Sequence, residues 1–254
     1  MTLPRTPSFR VDGKRALVTG GTRGIGLGAS VALAEAGAAV TIAARTAGDI
    51  ETLVNQMADA GLSAEGVALD ITDSASVKAF TDEIEPFQVL VNCAGTARHS
   101  SFADITPANY QAVMDLNLAA TLFVSQAVVA RLVAAGLPGS IIHISSQMGH
   151  VGGPSRAVYA ASKFAVEGLS KAMAIELGPH NIRVNTVCPT FIETELTSKN
   201  LSDPDFRAWV LSKIKLGRLG KVEDIMGPVV FLASDAAALV TGASLLVDGG
   251  WTAE

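Results

Sequence analysis

Short apolar runs and longer mixed runs alternate along this chain with a regular beat. Residues 15–19, 39–43, 66–69, 89–91, 140–144, 183–187 and 244–247 are brief stretches rich in Val, Ile, Leu and Ala, with little polar alternation. That is the pattern of strands buried on both faces. Between them, 24–37, 49–60, 74–84, 107–135, 158–177 and 223–232 carry apolar residues at helical spacing,. The alternation predicts an α/β fold: one doubly wound parallel sheet of about seven strands, with helices on both faces and right-handed crossovers. No break in composition separates two domains, so 11–254 is expected to be a single unit behind an extended tail at 1–10, which carries Pro4 and Pro7.

Two stretches interrupt the beat. Residues 96–106 follow the fourth strand, and 189–220 follow the sixth, with a helical piece at 205–214. In open parallel sheets, ligands sit outside the carboxyl ends of the strands. These two loops are therefore the expected walls of a substrate site.

Composition narrows the function classes. The chain is 49% hydrophobic and 17% charged, enough for a sizeable core, and its net charge of −5 argues against nucleic acid or an anionic membrane as the main partner,. No window of about 18 residues is free of charge or glycine breaks, so no membrane span is expected. The first ten residues lack the apolar stretch of a signal peptide, and a cytoplasmic location is the expectation. Cys93 and Cys188 form no CxxC pair, so neither a disulfide framework nor a metal site is expected,.

Candidate chemistry begins at the turn after the first strand. Gly20, Gly24 and Gly26, with Thr22, Arg23 and Ile25 among them, are spaced to let a pyrophosphate approach backbone N–H groups at a helix N-terminus,. An acid at the end of the second strand would accept from a ribose 2′-hydroxyl, but this chain has Ala43-Ala44-Arg45-Thr46 there,. Arg45 and Arg23 instead suit a 2′-phosphate, which favours NADP(H) over NAD(H). Asp70, beside Ile71, ends the third strand where it could accept from an adenine amino group. Asn92, Ala94 and Gly95 form a small-residue run after the fourth strand.

Tyr159 and Lys163 lie four apart, on one face of a predicted helix,. A nearby ammonium favours phenolate, which readies the tyrosine to give a proton to a carbonyl or take one from an alcohol. Ser146, just past the fifth strand, could bond the same oxygen. The Asn117 side chain could hold a water that links Lys163 to solvent. A cofactor cradle and a proton donor together indicate a nicotinamide-dependent oxidoreductase.

Taken together, these motifs resemble the short-chain dehydrogenase/reductase family over about 12–251. The resemblance rests on the TGxxxGxG turn, Asp70, the run 92–95, Asn117, Ser146, Tyr159 with Lys163, the exit from strand six at 189–194, and the run 247–250. It implies a Rossmann-type sheet and hydride transfer with NAD or NADP. It also implies Tyr159 as acid/base, Lys163 on the nicotinamide ribose, and Pro189, Ile192 and Thr194 around the nicotinamide, with Ile192 and Thr194 on its carboxamide. It further implies a homotetramer packed through the helices holding Asn117 and Tyr159. Cys93 stands where the family has a second asparagine, and Thr190 where it has a glycine.

Thr96, Gln147, His150, Thr190 and Phe191 are the expected substrate contacts, with Arg98, His99, Met148 and Arg156 as further pocket candidates. This polar lining, with Gly217-Arg218-Leu219-Gly220 and the Asp248 to Trp251 ending, leans towards a sugar, sugar-acid or polyol substrate. A 3-oxoacyl thioester reductase is the alternative enzyme. A non-catalytic NADPH-binding sensor or scaffold is the alternative of another class.

Overall fold

The computed structural model describes residues 2–254. In chain order it comprises β1 (Arg15–Thr19), α1 (Gly24–Glu35), β2 (Ala39–Ala44), α2 (Ala47–Asp59), β3 (Ala64–Ala68), α3 (Ser74–Glu83) and β4 (Val89–Asn92). Next come α4 (Pro107–Met114), a π-helical turn (Asp115–Ala119), α5 (Ala120–Ala135), β5 (Gly139–Ile144), α6 (Ala157–Leu177) and β6 (Ile182–Pro189). The last elements are α7 (Glu195–Leu201), α8 (Pro204–Lys213), α9 (Glu223–Ala233) and β7 (Ser244–Val247).

The strands form one seven-stranded sheet in the order β3-β2-β1-β4-β5-β6-β7, and each neighbouring pair is parallel. The order reverses between β1 and β4, and that switch point opens a crevice above the strand ends. Successive strand residues face opposite layers. Leu17, Leu90 and Ile141 pack under α3, α5 and α6, whereas Val18, Val91 and Ile142 pack under α1 and α9,. A third apolar cluster, built from Met148, Phe191, Leu201, Val210, Ile214, Leu219 and Trp251, lies over the strand ends and joins the 189–220 loop to the C-terminus.

Three expectations need correction. The third strand is Ala64–Ala68 rather than 66–69, and it is largely exposed instead of buried on both faces. It is an edge strand. Its Glu65 accepts from Thr41 (2.7 Å) and pairs with Arg15 (3.6 Å), which keeps this edge polar,. Second, the expected helix 107–135 is divided by the π-helical turn at Asp115–Ala119. Third, the continuous helical stretch Pro107–Ala135 is long and apolar enough to cross a membrane by composition alone. Here its Val124, Val128 and Leu132 are buried in the sheet core. At the N-terminus, Ser8 O accepts from Ala236 N (3.2 Å), the Phe9 ring meets Phe231 (6.2 Å), and Val11 is fully buried.

Candidate active site

The turn after β1 is shaped for close approach. Gly20 has φ +65°, and a Cβ there would stand 2.9 Å from Ala94 Cα. A Cβ on Gly26 would overlap the Gly20 carbonyl. Thr19 Oγ1 accepts from Cys93 N (3.2 Å) and Ala94 N (3.4 Å), which ties the glycine turn to the end of β4. The β1–α1 cradle and the 92–95 run therefore form one surface, with bare backbone at the amino end of α1. This satisfies the steric demand of a dinucleotide pyrophosphate. Thr22, Arg23, Gly24 and Ile25 complete the turn. Thr194 Cγ2 lies 3.4 Å from where a Gly24 Cβ would be, so the strand-six exit returns to the cradle.

The two arginines expected to share a phosphate have different neighbours. Arg23 reaches Glu195 on α7 (3.4 Å), both groups being exposed. Arg45 acts on Asp70, whose carboxyl is held below its usual range by donors from Thr72 N and Thr72 Oγ1 and, more weakly, by the Arg45 charge. Ile71, the next residue, is buried. Asn92 turns its side chain away from the crevice. It is 4% exposed, and Nδ2 donates to Ser125 Oγ (2.9 Å). Only its backbone shares the strand end with Ala94 and Gly95.

Lys163 and Tyr159 adjoin at the carboxyl end of β5, and Ser146 follows that strand end by two residues. Lys163 is 7% exposed, donates to Ile144 O (2.8 Å), and lies 5.7 Å from the Tyr159 ring centroid. The β5 carbonyl thereby anchors the ammonium beside the Tyr159 ring. Ser146 caps a short 3-10 turn by accepting from Met148 N (3.1 Å) and donates to Gln147 Oε1 (2.8 Å). The His99 ring meets Tyr159 edge-on at 6.2 Å. Desolvation, then the Arg156 charge, hold that imidazole below its ordinary pKa.

Asn117 sits in the π-helical turn and is 1% exposed. Its Oδ1 accepts from Thr96 N (2.8 Å), and its Nδ2 donates to Thr96 O (3.0 Å) and Ser162 Oγ (3.1 Å). Ser162 in turn donates to Tyr159 O (2.7 Å). The side chain thus clamps the loop after β4 to the catalytic helix.

The expected substrate contacts divide. Gln147 is 2% exposed and is spent on Ser146. His150 Nε2 lies 3.4 Å from Cys188 Sγ and 3.8 Å from Glu167 Oε2. Glu167, 6% exposed, also accepts from Thr186 Oγ1 (3.0 Å), Ser244 Oγ (2.5 Å) and Cys188 Sγ (3.3 Å). His150, Glu167 and Cys188 are far apart in sequence, yet their ligand atoms lie within 4.8 Å of one another, the spacing of a possible cation site. The absence of a Cys/His motif in the sequence therefore did not exclude such a cluster. The Cys188 thiol is pushed up to about 12 by burial and then by the Glu167 charge. Thr190 donates its N–H to Val247 O (3.2 Å) and lines a hollow with Ile214, Leu216 and Gly249. Its buried Oγ1 has no partner among the described residues.

Ile192 is 3% exposed, packs into the core, and accepts from Thr197 Oγ1 (2.6 Å) at its carbonyl. Thr194 opens α7 in a capping box with Thr197. Phe191, Phe206, Trp209 and Trp251 form a linked aromatic cluster with centroid spacings of 5.4–5.7 Å. The roles of Glu167, Trp209 and Phe206 escaped sequence reasoning. No local pattern signals which loop side chains will meet across the strand ends.

Residues 20–252 match a family model described as enoyl-(acyl carrier protein) reductase. The chain is 42% identical to D-erythrulose reductase of Gallus gallus over 245 residues, covering 96% of this chain and 98% of that one. It is 35% identical to gluconate 5-dehydrogenase of Gluconobacter oxydans (strain 621H), covering 96% of each. Among solved structures, a gluconate 5-dehydrogenase from Burkholderia cenocepacia J2315, in complex with NADP and tartrate, superposes with a TM-score of 0.94. The two are 38% identical, and the match covers 97% of this chain and 98% of that one.

Proposed function

The chain belongs to the short-chain dehydrogenase/reductase family and is an oxidoreductase of CH–OH donors; on that premise we propose NADP(H)-dependent interconversion of a secondary alcohol and a ketone on a sugar, sugar-acid or polyol substrate. What supports this reading is the buried Lys163 held on Ile144 O beside the Tyr159 ring, at the carboxyl end of a sheet that also bears the glycine cradle.

The cradle residues 20–26 would hold the pyrophosphate, Arg45 and Arg23 the 2′-phosphate, and Asp70 the adenine. Pro189, Ile192 and Thr194 would border the nicotinamide, which when bound supplies or accepts the hydride. The protein manages the proton. In reduction, Ser146 Oγ leaves Gln147 to donate to the ketone oxygen, and Tyr159 Oη delivers the proton. The Lys163 ammonium stabilises the phenolate left behind. Burial of Lys163, and its anchoring on Ile144 O, mean that no reorganisation is needed at that moment,. Asn117 keeps Thr96 and Tyr159 in one frame.

Relatives named for erythrulose, xylulose, threitol and gluconate support the hydroxylated substrate class. Neighbours with bound NADP support the cofactor preference. We carry a homotetramer as the proposed assembly, since α5 and α6 leave Phe123 (43%), Phe164 (49%) and Ile175 (79%) exposed,. A cytoplasmic location belongs to the same reading.

The test is NADPH consumption by the purified protein, offered a panel of keto-sugars and keto-sugar acids beside acetoacetyl thioester. Turnover of the hydroxylated ketones supports the reading. Turnover of the thioester alone would move the chain to 3-oxoacyl reduction, which the family model's description keeps as a second reading.

A further inference from the structure

We propose that Arg156 is the receptor for a carboxylate on the substrate, so that this enzyme acts on keto-sugar acids and their hydroxy forms in preference to neutral ketoses. The inference rests on the oxidoreductase reading above and narrows its substrate class.

Arg156 stands at the N-cap of α6, three residues before Tyr159, so the two side chains leave the same end of the helix as neighbours,. It is 7% exposed. Its guanidinium carbon lies 5.8 Å from the Phe191 ring centroid and 5.5 Å from that of Phe206. Phe191 lies in the loop after β6 and Phe206 on α8, so the cation is held between the catalytic helix and the 189–220 segment.

What Arg156 lacks is an anion. Among the described residues it enters no ion pair, and its side chain makes no hydrogen bond. Arg183 is a fair contrast. It too is shifted downward by burial, but it donates to the carbonyls of Leu232, Ser234 and Val240. Arg98, the other arginine near the site, is exposed and donates to Asn109 Oδ1 (3.1 Å). A largely buried guanidinium whose N–H donors have no protein partner is costly unless solvent or an anion meets them. Aromatic contacts compensate the faces of the planar group, not the in-plane N–H edge. That edge fits a carboxylate, which is also planar and accepts two parallel hydrogen bonds. With Arg156 beside Tyr159, a carboxylate bound there would place the rest of a short hydroxylated chain against the proton donor.

A phosphate ester shares the negative charge and is distinguished by experiment. Reduction by NADPH is followed for three matched ketones: a 5-keto-aldonate, the ketose with hydroxymethyl in place of its carboxylate, and the corresponding ketose phosphate. The expected result is a kcat/KM for the acid at least tenfold above the other two in the wild type. In Arg156→Met, the ratio of acid to neutral ketose should fall roughly 10- to 100-fold, the range for losing hydrogen bonds to a charged group. Arg156→Lys should recover part of that ratio. The proposal is overturned if wild type shows no preference for the acid, if it prefers the phosphate, or if Arg156→Met lowers all three rates in proportion. The wild-type arm stands even if the variants fail to fold. Turnover of neutral ketoses without acid preference sinks this inference alone, whereas no turnover of any hydroxylated ketone sinks the functional reading with it.

Discussion

Lowering the pH should destabilise this protein through one imidazole well before its paired carboxylates protonate. His143 lies in β5, is 1% exposed, and sits between Ser125 Oγ (3.3 Å) and Ser170 Oγ (3.1 Å). Burial lowers it to about 4; the Glu167 charge opposes that shift and the Lys163 charge adds to it. The native state therefore holds a neutral ring, while the unfolded chain takes up a proton near the ordinary imidazole value of 6.5. The unfolded state binds more protons between those two values, so this contribution is fully present above pH 6.5 and is lost as the pH falls towards 4. One proton changes stability by about 1.4 kcal/mol per pH unit. The window of roughly 2.5 units then removes on the order of 3 kcal/mol, and about 2 kcal/mol of this is gone by pH 5. The assay is urea unfolding from pH 7.5 to 4.5, compared with His143→Gln, whose amide can still bridge the serines. The lowered His99 acts in the same direction, so the informative quantity is the difference in slope between the two proteins. Carboxylates held low by partners, such as Asp224 at about 2, titrate below the window. Parallel stability curves for wild type and His143→Gln would refute the reasoning.

Other substitutions probe the site directly. Tyr159→Phe should abolish turnover while NADPH still quenches protein fluorescence with near wild-type affinity; surviving turnover would remove Tyr159 as the acid/base. Gly26→Ala forces a Cβ onto the Gly20 carbonyl, and should cost roughly 1–3 kcal/mol of stability as overpacking and at least tenfold in cofactor affinity, read by calorimetry. Arg45→Ala should weaken NADPH much more than NADH, and an equal loss for both would detach Arg45 from the 2′-phosphate. Asn117→Ala removes three hydrogen bonds, two part-buried and one buried, each worth about 1 kcal/mol. It should lower the thermal midpoint and raise amide exchange across 95–97, and unchanged exchange there would contradict the clamp.

Much of the architecture was legible because central strands of a parallel sheet must be apolar on both faces. Runs such as 140–144 have no other stable reading once helices flank them. The start of the edge strand was misplaced because Glu65 is exposed and carries no burial signal. The glycine turn and the Tyr159–Lys163 pair were legible because both are local: backbone conformation sets one and helical spacing the other. Side chains that depend on long-range meeting were not. The approach of His150 to Glu167 and Cys188, on α6 and β6, is one such meeting. Arg156 read only as one of four further pocket candidates; the approach of Phe191 and Phe206 from the 189–220 segment had no local signal.

The π-helical turn at Asp115–Ala119 puts the two halves of one long helix out of phase. An extra residue in a single turn rotates everything beyond it by about 100° relative to an unbroken helix. α4 can therefore face the loop after β4 while α5 keeps its apolar stripe on the sheet. The phase difference, more than any one side chain, makes both docking arrangements compatible. Insertions and deletions should accordingly be tolerated very unevenly here. Loss of Leu118 would keep the composition almost intact yet restore regular winding, so that either Asn117 loses Thr96 or Val124 and Val128 lose the core. A substitution scan would score this turn as moderately tolerant, and a deletion scan would find it among the least forgiving points of the chain.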